Sequence, residues 1–173
     1  MIPSSKFVEL DKRLHERKSF DCGTAELNMF LHNFAVRHRA AGVSKTMVLP
    51  DEQEEQICSY YTLSHAEIKR EALPQSQAKK LPHYPIPVLL IAQLAVHIET
   101  QGHGLGKVTL VRALRHCLDI NVHLPSAAVV VDALDEGVQT FYEQYGFKPL
   151  DKHSGKRIRL FLPMKTVARV FAQ

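Results

Sequence analysis

Cysteine is scarce in this 173-residue chain. Cys22, Cys58 and Cys117 are odd in number and share no metal-like spacing. That argues against a disulfide framework or a cysteine-rich metal site and fits free thiols in a reducing compartment. Cys117 reads as core within a helix-like run, and nothing local marks an activating base for Cys22. Long apolar runs are also missing. The longest, Ile86 to Ile98, is interrupted by Pro87, Gln93 and His97 and is too short to span a bilayer. The opening "MIPSSKFVEL" has no apolar stretch of the secretory type, so a cytoplasmic protein without a membrane role is expected. No internal repeat, low-complexity segment or linker is visible. Nor does one sign of charge dominate: 22 basic against 18 acidic residues leave a formal +4, with ten histidines in reserve. An excess of that size permits an anionic partner without requiring one.

What is present suits a single globular domain over residues 1–173. Hydrophobic residues make up 45% and charged residues 23%, enough to bury a core. "KFVEL" (6–10) is a short strand. In "FDCGTAELNMFLHNFAVRHRAAG", Leu27, Phe30, Leu31, Phe34 and Ala35 recur at the spacing of one buried helix face. Gly23 with Glu26 resembles a capping arrangement, Gly42 fits the stop, and Arg37, His38 and Arg39 suit the negative end of the helix dipole. "KTMVLP" (45–50) and "QICSYYTLSH" (56–65) read as a hairpin around "DEQEE". Residues 66–87, with four prolines, predict a loop carrying a short helix near Ile68 to Leu73. Next come a buried strand (88–98), a helix from about Leu105 to Leu118, a strand (126–134) and a helix (135–145). Strands at "GFKPL" and "IRLFLPM" and a helical tail close the chain. The order predicts an α/β (α+β) fold: a central mixed, mostly antiparallel sheet flanked by helices.

The segment "QGHGLGK" places Gly102, Gly104 and Gly106 between a strand and a helix. Glycine lets the backbone come close to a ligand, and a helix start offers unpaired amides and partial positive charge, so the pattern suits phosphate. A purely structural glycine-rich helix start would look the same. It is not a Walker A loop, because Gln101 stands where the first glycine should be and Val108 where Ser or Thr should bind Mg²⁺. Nor is it G-x-G-x-x-G.

It does match Q-x-x-G-x-G through Gln101, Gly104 and Gly106, and so resembles the pyrophosphate loop of the GNAT superfamily of N-acetyltransferases. "DEGVQTFYEQYGF" (135–147) is similar to the family segment N-x-x-A-x-x-F-Y-x-x-x-G-F, matching at Phe141, Tyr142, Gly146 and Phe147. Asp135 and Val138 stand where the family has Asn and Ala. An aromatic core pair is the alternative role for Phe141 and Tyr142, and Phe147 reads as core. "FDCGTAELNMFL", "SYYTLS" and "YPIPVLLIAQLAV" ahead of "QGHGLG" resemble the toxin branch of the superfamily, over about residues 7 to 164. That branch acetylates the α-amino group of aminoacyl-tRNA, is neutralised by a ribbon-helix-helix antitoxin and often forms homodimers.

The resemblance implies a GNAT fold with acetyl-CoA as co-substrate and no metal. Gln101, Gly102, His103, Gly104, Leu105, Gly106 and Lys107 would hold its diphosphate. Leu94, Ala95 and Val96 would pair with the pantetheine arm like an added strand, with Asp135 and Phe141 beside it. Tyr142 would be the general acid for the leaving thiolate, since a thiol near ~8.5 and a phenol near ~10 are not far apart. Tyr142 and Tyr145 share a helix face, so only the family position separates them. No general base is evident. An α-amine, titrating near ~7.7–8.0, is partly neutral at pH 7 and needs little help, which favours aminoacyl-tRNA over a lysine side chain. Basic candidates for RNA phosphates are Lys12, Arg13, Arg17, Lys18, Arg37, Arg39, Lys45, Lys79, Lys80, Lys156, Arg157 and Arg159. Two other readings keep the fold: an acetyltransferase acting on a small amine or protein N-terminus, and a non-catalytic acyl-CoA-binding module.

Overall fold

The structure is a computed structural model that describes residues 1–150 and 157–172. Its strands are β1 (Val8–Glu9), β2 (Lys45–Pro50), β3 (Ile57–Ile68), β4 (Ile86–Val96), β5 (Ala128–Ala133), β6 (Lys148–Pro149) and β7 (Ile158–Pro163). Its helices are α1 (Ala25–Met29), α2 (Ala35–Ala40), α3 (Gln75–Ala78), α4 (Leu105–His123), α5 (Glu136–Glu143) and α6 (Met164–Phe171). Hydrogen bonding orders the strands β1-β2-β3-β4-β5-β7-β6. Two compact units divide the chain: Met1–Ser64 with Ala92–Ala113, and His65–Ile91 with Leu114–Gln173.

In the first unit β1, β2 and β3 form an antiparallel meander, with Lys45 opposite Leu63 and Val48 opposite Tyr60. The expected turn is organised by Asp51, whose carboxylate accepts the amides of Glu55 (3.0 Å) and Gln56 (3.1 Å). Such Asx bonding lets a polar loop close without regular pairing. The core gathers Phe20, Phe30, Leu31, Ala35, Val48, Ile57, Tyr60 and Ala95.

The α1–α2 segment departs from the expected single helix. A π turn, Phe30–Phe34, joins α1 to α2, and the amide of Ala35 bonds to the carbonyl of Phe30. One extra residue in the turn rotates the later positions around the helix axis. Phe30, Leu31 and Ala35 stay buried, but Phe34 is turned out and 37% exposed. Helical spacing alone had put Phe34 in the core, and the inserted residue overrides it. The expected cap at Gly23 and Glu26 is also corrected. Thr24 is the N-cap and makes no side-chain capping bond. Asp21 instead accepts from the Gly23 amide (2.8 Å) and from Asn28 (2.9 Å), which hold its carboxyl below its ordinary range. Gly42 does end α2, at φ +74°.

In the second unit β4 pairs parallel with β5 from Leu89 to Ile91, and β5, β7 and β6 continue antiparallel. A near-continuous apolar strand such as Val129–Val131 suits this doubly covered position. Around it pack Ile68, Leu73, Ala78, Ile86, Val88, Ala128, Val130, Leu150 and Phe161. The expected helix near Ile68 to Leu73 is a 3₁₀ turn at Arg70–Ala72 instead. Pro74 disfavours helix for the residue before it, and α3 begins only afterwards. Arg70 then ties the segment together by donating to the Ala78 carbonyl at 2.6 Å. Helix α4 runs beyond the expected Leu118 to His123, since no breaker arrives before Pro125. Lys156, a candidate RNA contact, lies outside the described residues.

Cys117 is fully buried, and burial pushes its thiol up to about 12. A folded-state value above the unfolded one favours the protonated fold, so this contribution is complete below the unfolded thiol value and is lost as pH rises. Stability should therefore decline above about pH 8.5, by up to about 1.4 kcal/mol per pH unit for this thiol. Urea unfolding across that range measures the slope, and a Cys117→Ala variant should make it shallower, with the burial-raised Cys58 thiol supplying part of what remains.

Candidate functional site

The glycine segment sits in the first unit, and its neighbours fix it from behind. Gln101 donates its side-chain amide to the carbonyls of Val96 (2.8 Å) and Cys22 (3.0 Å). Thr100 sends its hydroxyl to the Cys58 carbonyl at 3.1 Å, and the His97 amide reaches the same oxygen at 2.8 Å. The end of β4 is thus tied to β3 and to the Cys22 loop immediately before the chain turns into α4.

Gly102 (φ +82°) and Gly104 (φ +80°) both lie in the left-handed region, and a Cβ on either would meet nothing within 4 Å. Backbone conformation, not crowding, demands glycine at both positions. The open space also means that this stretch faces outward. The helical bonding of α4 starts with Val108 donating to the Gly104 carbonyl (3.2 Å). The amides of Leu105, Gly106 and Lys107 precede it, at the positive end of a 19-residue helix. Thr109, in the next turn, bonds to Ser59 (2.9 Å) and to the Leu105 carbonyl (2.7 Å), so the helix start is anchored in the core. His103 and Lys107 are exposed.

Of the proposed strand surface, Ala95 is buried while Leu94 and Val96 are half-buried. The Val96 carbonyl is already engaged by Gln101. Beside them is a candidate residue that the sequence did not single out. Gln93 Oε1 is buried with no hydrogen-bond partner. A buried acceptor without a donor is costly and is the kind of group that a ligand N–H would satisfy. Its only signal in the sequence is a polar residue inside "VLLIAQLAV". Burial pushes the Cys22 thiol above its ordinary range, and the thiol donates to the Thr24 carbonyl at 3.6 Å, which disfavours a thiolate there.

Asp135, Phe141 and Tyr142 sit in the second unit. Asp135 caps α5, with its carboxylate accepting the Val138 amide at 2.9 Å. That capping bond gives the residue a structural task sequence reasoning had not assigned. Phe141 stacks edge-on against Tyr142 (5.2 Å between centroids) and Tyr145 (5.3 Å). Gly146, at φ +91°, closes the helix and swings Phe147 beneath Tyr142, with the two rings 5.5 Å apart. The spacing of "FYEQYGF" is therefore that of a helix end folded back under its own aromatic. Tyr142 is 5% exposed and burial holds its phenol well above the ordinary range, whereas Tyr145 is half-buried. Burial separates two tyrosines that helical spacing could not.

Several basic candidates have settled roles. Arg159 is half-buried and makes a two-pronged pair with Asp132 across β5 and β7 (2.7 and 2.9 Å). Arg39 pairs with Glu9 at 2.6 Å, and Lys45 lies 3.8 Å from the same carboxylate. Lys12, Arg13 and Arg39 line one cavity of about 560 Å³, together with Glu9 and Asp11. Lys79 and Lys80 are exposed in the second unit. Among the described residues no group of three or more His, Cys, Asp or Glu could hold a metal ion, and no helix is long and apolar enough to cross a membrane.

The family model for the acetyltransferase (GNAT) domain matches residues 27–168. The chain is 25% identical over 166 residues to a probable toxin TacT of Sinorhizobium fredii (strain NBRC 101917 / NGR234), covering 91% of this chain and 90% of that one. It superposes on AtaT complexed with acetyl-methionyl-tRNAfMet with a TM-score of 0.87 and 29% identity, over 96% of this chain and 99% of that chain. For a mutant AtaT toxin bound to the C-terminus of the antitoxin AtaR and acetyl-CoA, the TM-score is 0.81 at 25% identity, covering 97% and 98%.

Two substitutions test the loop and its neighbour. Gln101→Leu should cost about 1–2 kcal/mol of stability in urea unfolding, because two carbonyls lose their donor. Gln93→Leu should instead stabilise the fold by about 1 kcal/mol, since it removes an unpaired buried oxygen.

Proposed function

Since this chain belongs to the GNAT family of acetyltransferases, we propose that it is an acetyl-CoA-dependent toxin that acetylates the α-amino group of aminoacyl-tRNA and so blocks translation. The observation that carries the reading is the pair of left-handed glycines, Gly102 and Gly104, leading into the exposed amides at the start of α4. Outward amides at a helix N-terminus suit a diphosphate. The likeness to AtaT, whose structures hold acetyl-methionyl-tRNAfMet or acetyl-CoA with AtaR, supports the choice of substrates. The AtaT structure with AtaR supports an antitoxin as partner. That this antitoxin is of the ribbon-helix-helix type and that the chain forms a homodimer are proposed on the resemblance to the toxin branch alone. The family match over residues 27–168 supports one acetyltransferase domain.

Acetyl-CoA would supply an acetyl group activated as a thioester. The amides of Leu105, Gly106 and Lys107 would receive its diphosphate, helped by the exposed Lys107 and His103. The β4 backbone at Leu94, Ala95 and Val96 would align the pantetheine arm, and the unpaired Gln93 Oε1 offers an acceptor for an amide or amine N–H. Asp135 and Phe141 would flank the same arm. Tyr142 would face the sulfur. With its phenol held above the ordinary range it stays protonated, and it serves foremost as a hydrogen-bond donor that stabilises charge as it builds on the departing thiolate. No carboxylate is needed as base if the acceptor is an α-amine, which is substantially neutral near pH 8.

Purified protein with labelled acetyl-CoA and charged tRNA should yield acetyl-aminoacyl-tRNA. Absence of transfer to any charged tRNA would remove the RNA assignment while leaving the family intact. Tyr142→Phe should lower turnover by roughly 10²–10⁴-fold. The pH profile should rise through about 7.7–8.0 with the amine, and show no loss from phenol ionisation near the ordinary value of about 10. A Tyr142→Phe enzyme with wild-type turnover would end the acid role.

A further inference from the structure

Helical spacing places Phe34 with the buried face of Phe30, Leu31 and Ala35, yet the π turn presents it to solvent at 37% exposure. Leaving a phenylalanine out of the core forgoes burial free energy, so its surroundings need a reason. The Arg37 guanidinium lies over the Phe34 ring at 6.0 Å, and the His38 ring is tilted beside it at 6.0 Å. Two more cations are fastened next to it in the chain. Lys18 donates to the Asn33 side chain at 2.8 Å, and Arg17 to the His32 carbonyl at 3.1 Å. Arg37 and His38 thus lie against the exposed ring, while Arg17 and Lys18 are held on the two residues that precede it in the chain. The helix dipole accounts for cations near the end of α2, but not for an aromatic turned outward among them.

We propose that Phe34 is a stacking platform for an unpaired base at the single-stranded end of the RNA substrate, with Lys18 and Arg37 taking the adjoining phosphates. This deepens the aminoacyl-tRNA reading and rests on it. Unpaired RNA bases are recognised by stacking on aromatic rings and guanidinium planes, with backbone phosphates held by cations. An acidic peptide would use the cations and leave the ring idle, so a base is the better match.

The test uses the full chain and an RNA hairpin with a single-stranded 3′ overhang carrying 2-aminopurine. Wild-type protein should quench the fluorophore on binding. Phe34→Ala and Phe34→Leu should lose the quenching and weaken binding by roughly 5- to 150-fold, while Phe34→Tyr retains both. Lys18→Gln and Arg37→Gln should keep the quenching but reduce the salt dependence of binding, by about one phosphate contact each. Unchanged unfolding midpoints would separate these effects from misfolding. Quenching by Phe34→Leu equal to wild type would overturn the platform, as would an acidic peptide whose binding alone depends on Phe34. If wild-type protein bound RNA without quenching, only this proposal would fall; if it bound no RNA, the substrate reading would fall with it.

Discussion

The side-chain amide of Gln101 holds the glycine loop in place. It spans the carbonyls of Val96 and Cys22 and so joins the end of β4 to the segment that leads into α1. Without that brace, two glycines in the left-handed region would form a loose turn, because glycine carries the largest backbone entropy to lose. With it, the amides at the start of α4 are fixed relative to the strand whose edge would align the acyl carrier. Thr100 and Thr109 add bonds to Cys58 and Ser59. The site is thus built on strand and helix ends rather than on a free loop, which suits a group that must hold charge without reorganising.

In the second unit the packing bears on a phenol. Apolar packing against Phe141 and Phe147 raises the Tyr142 value, and Gly146 makes that packing possible by letting the chain reverse. The sequence-level comparison of thiol and phenol assumed ordinary values. Burial changes that comparison: the phenol is a weaker acid than an exposed tyrosine, so a hydrogen bond to developing charge is the role proposed for it. Gln93 sets up a related tension, an acceptor kept dry at a cost to stability.

Elements of regular period were legible in the chain. The hairpin at 45–50 and 56–65, the β-branched run at 128–133 and the helix behind the glycines all form. So do the tail helix and the burial of Phe147. The misses have more than one cause. Helical spacing assumed 3.6 residues per turn, and the π turn at Phe30–Phe34 breaks that rule without any glycine or proline to announce it. The cap at Asp21 and Asn28, and the pairing of Arg159 with Asp132, depend on partners 7 and 27 residues away.

By itself the sequence determined the chemistry on offer: a glycine turn before a helix, an aromatic pair closed by glycine, and the family to which both belong. These are local patterns, set by backbone dihedrals and side-chain period, and a local pattern can be read along the chain. Only the tertiary structure decided which residues are free to act. It engaged the Gln101 amide and Arg39, buried Tyr142 but not Tyr145, left Gln93 unpaired and turned Phe34 outward. Each of those outcomes is a competition between solvent and a neighbour distant in sequence, and no local pattern records which neighbour wins.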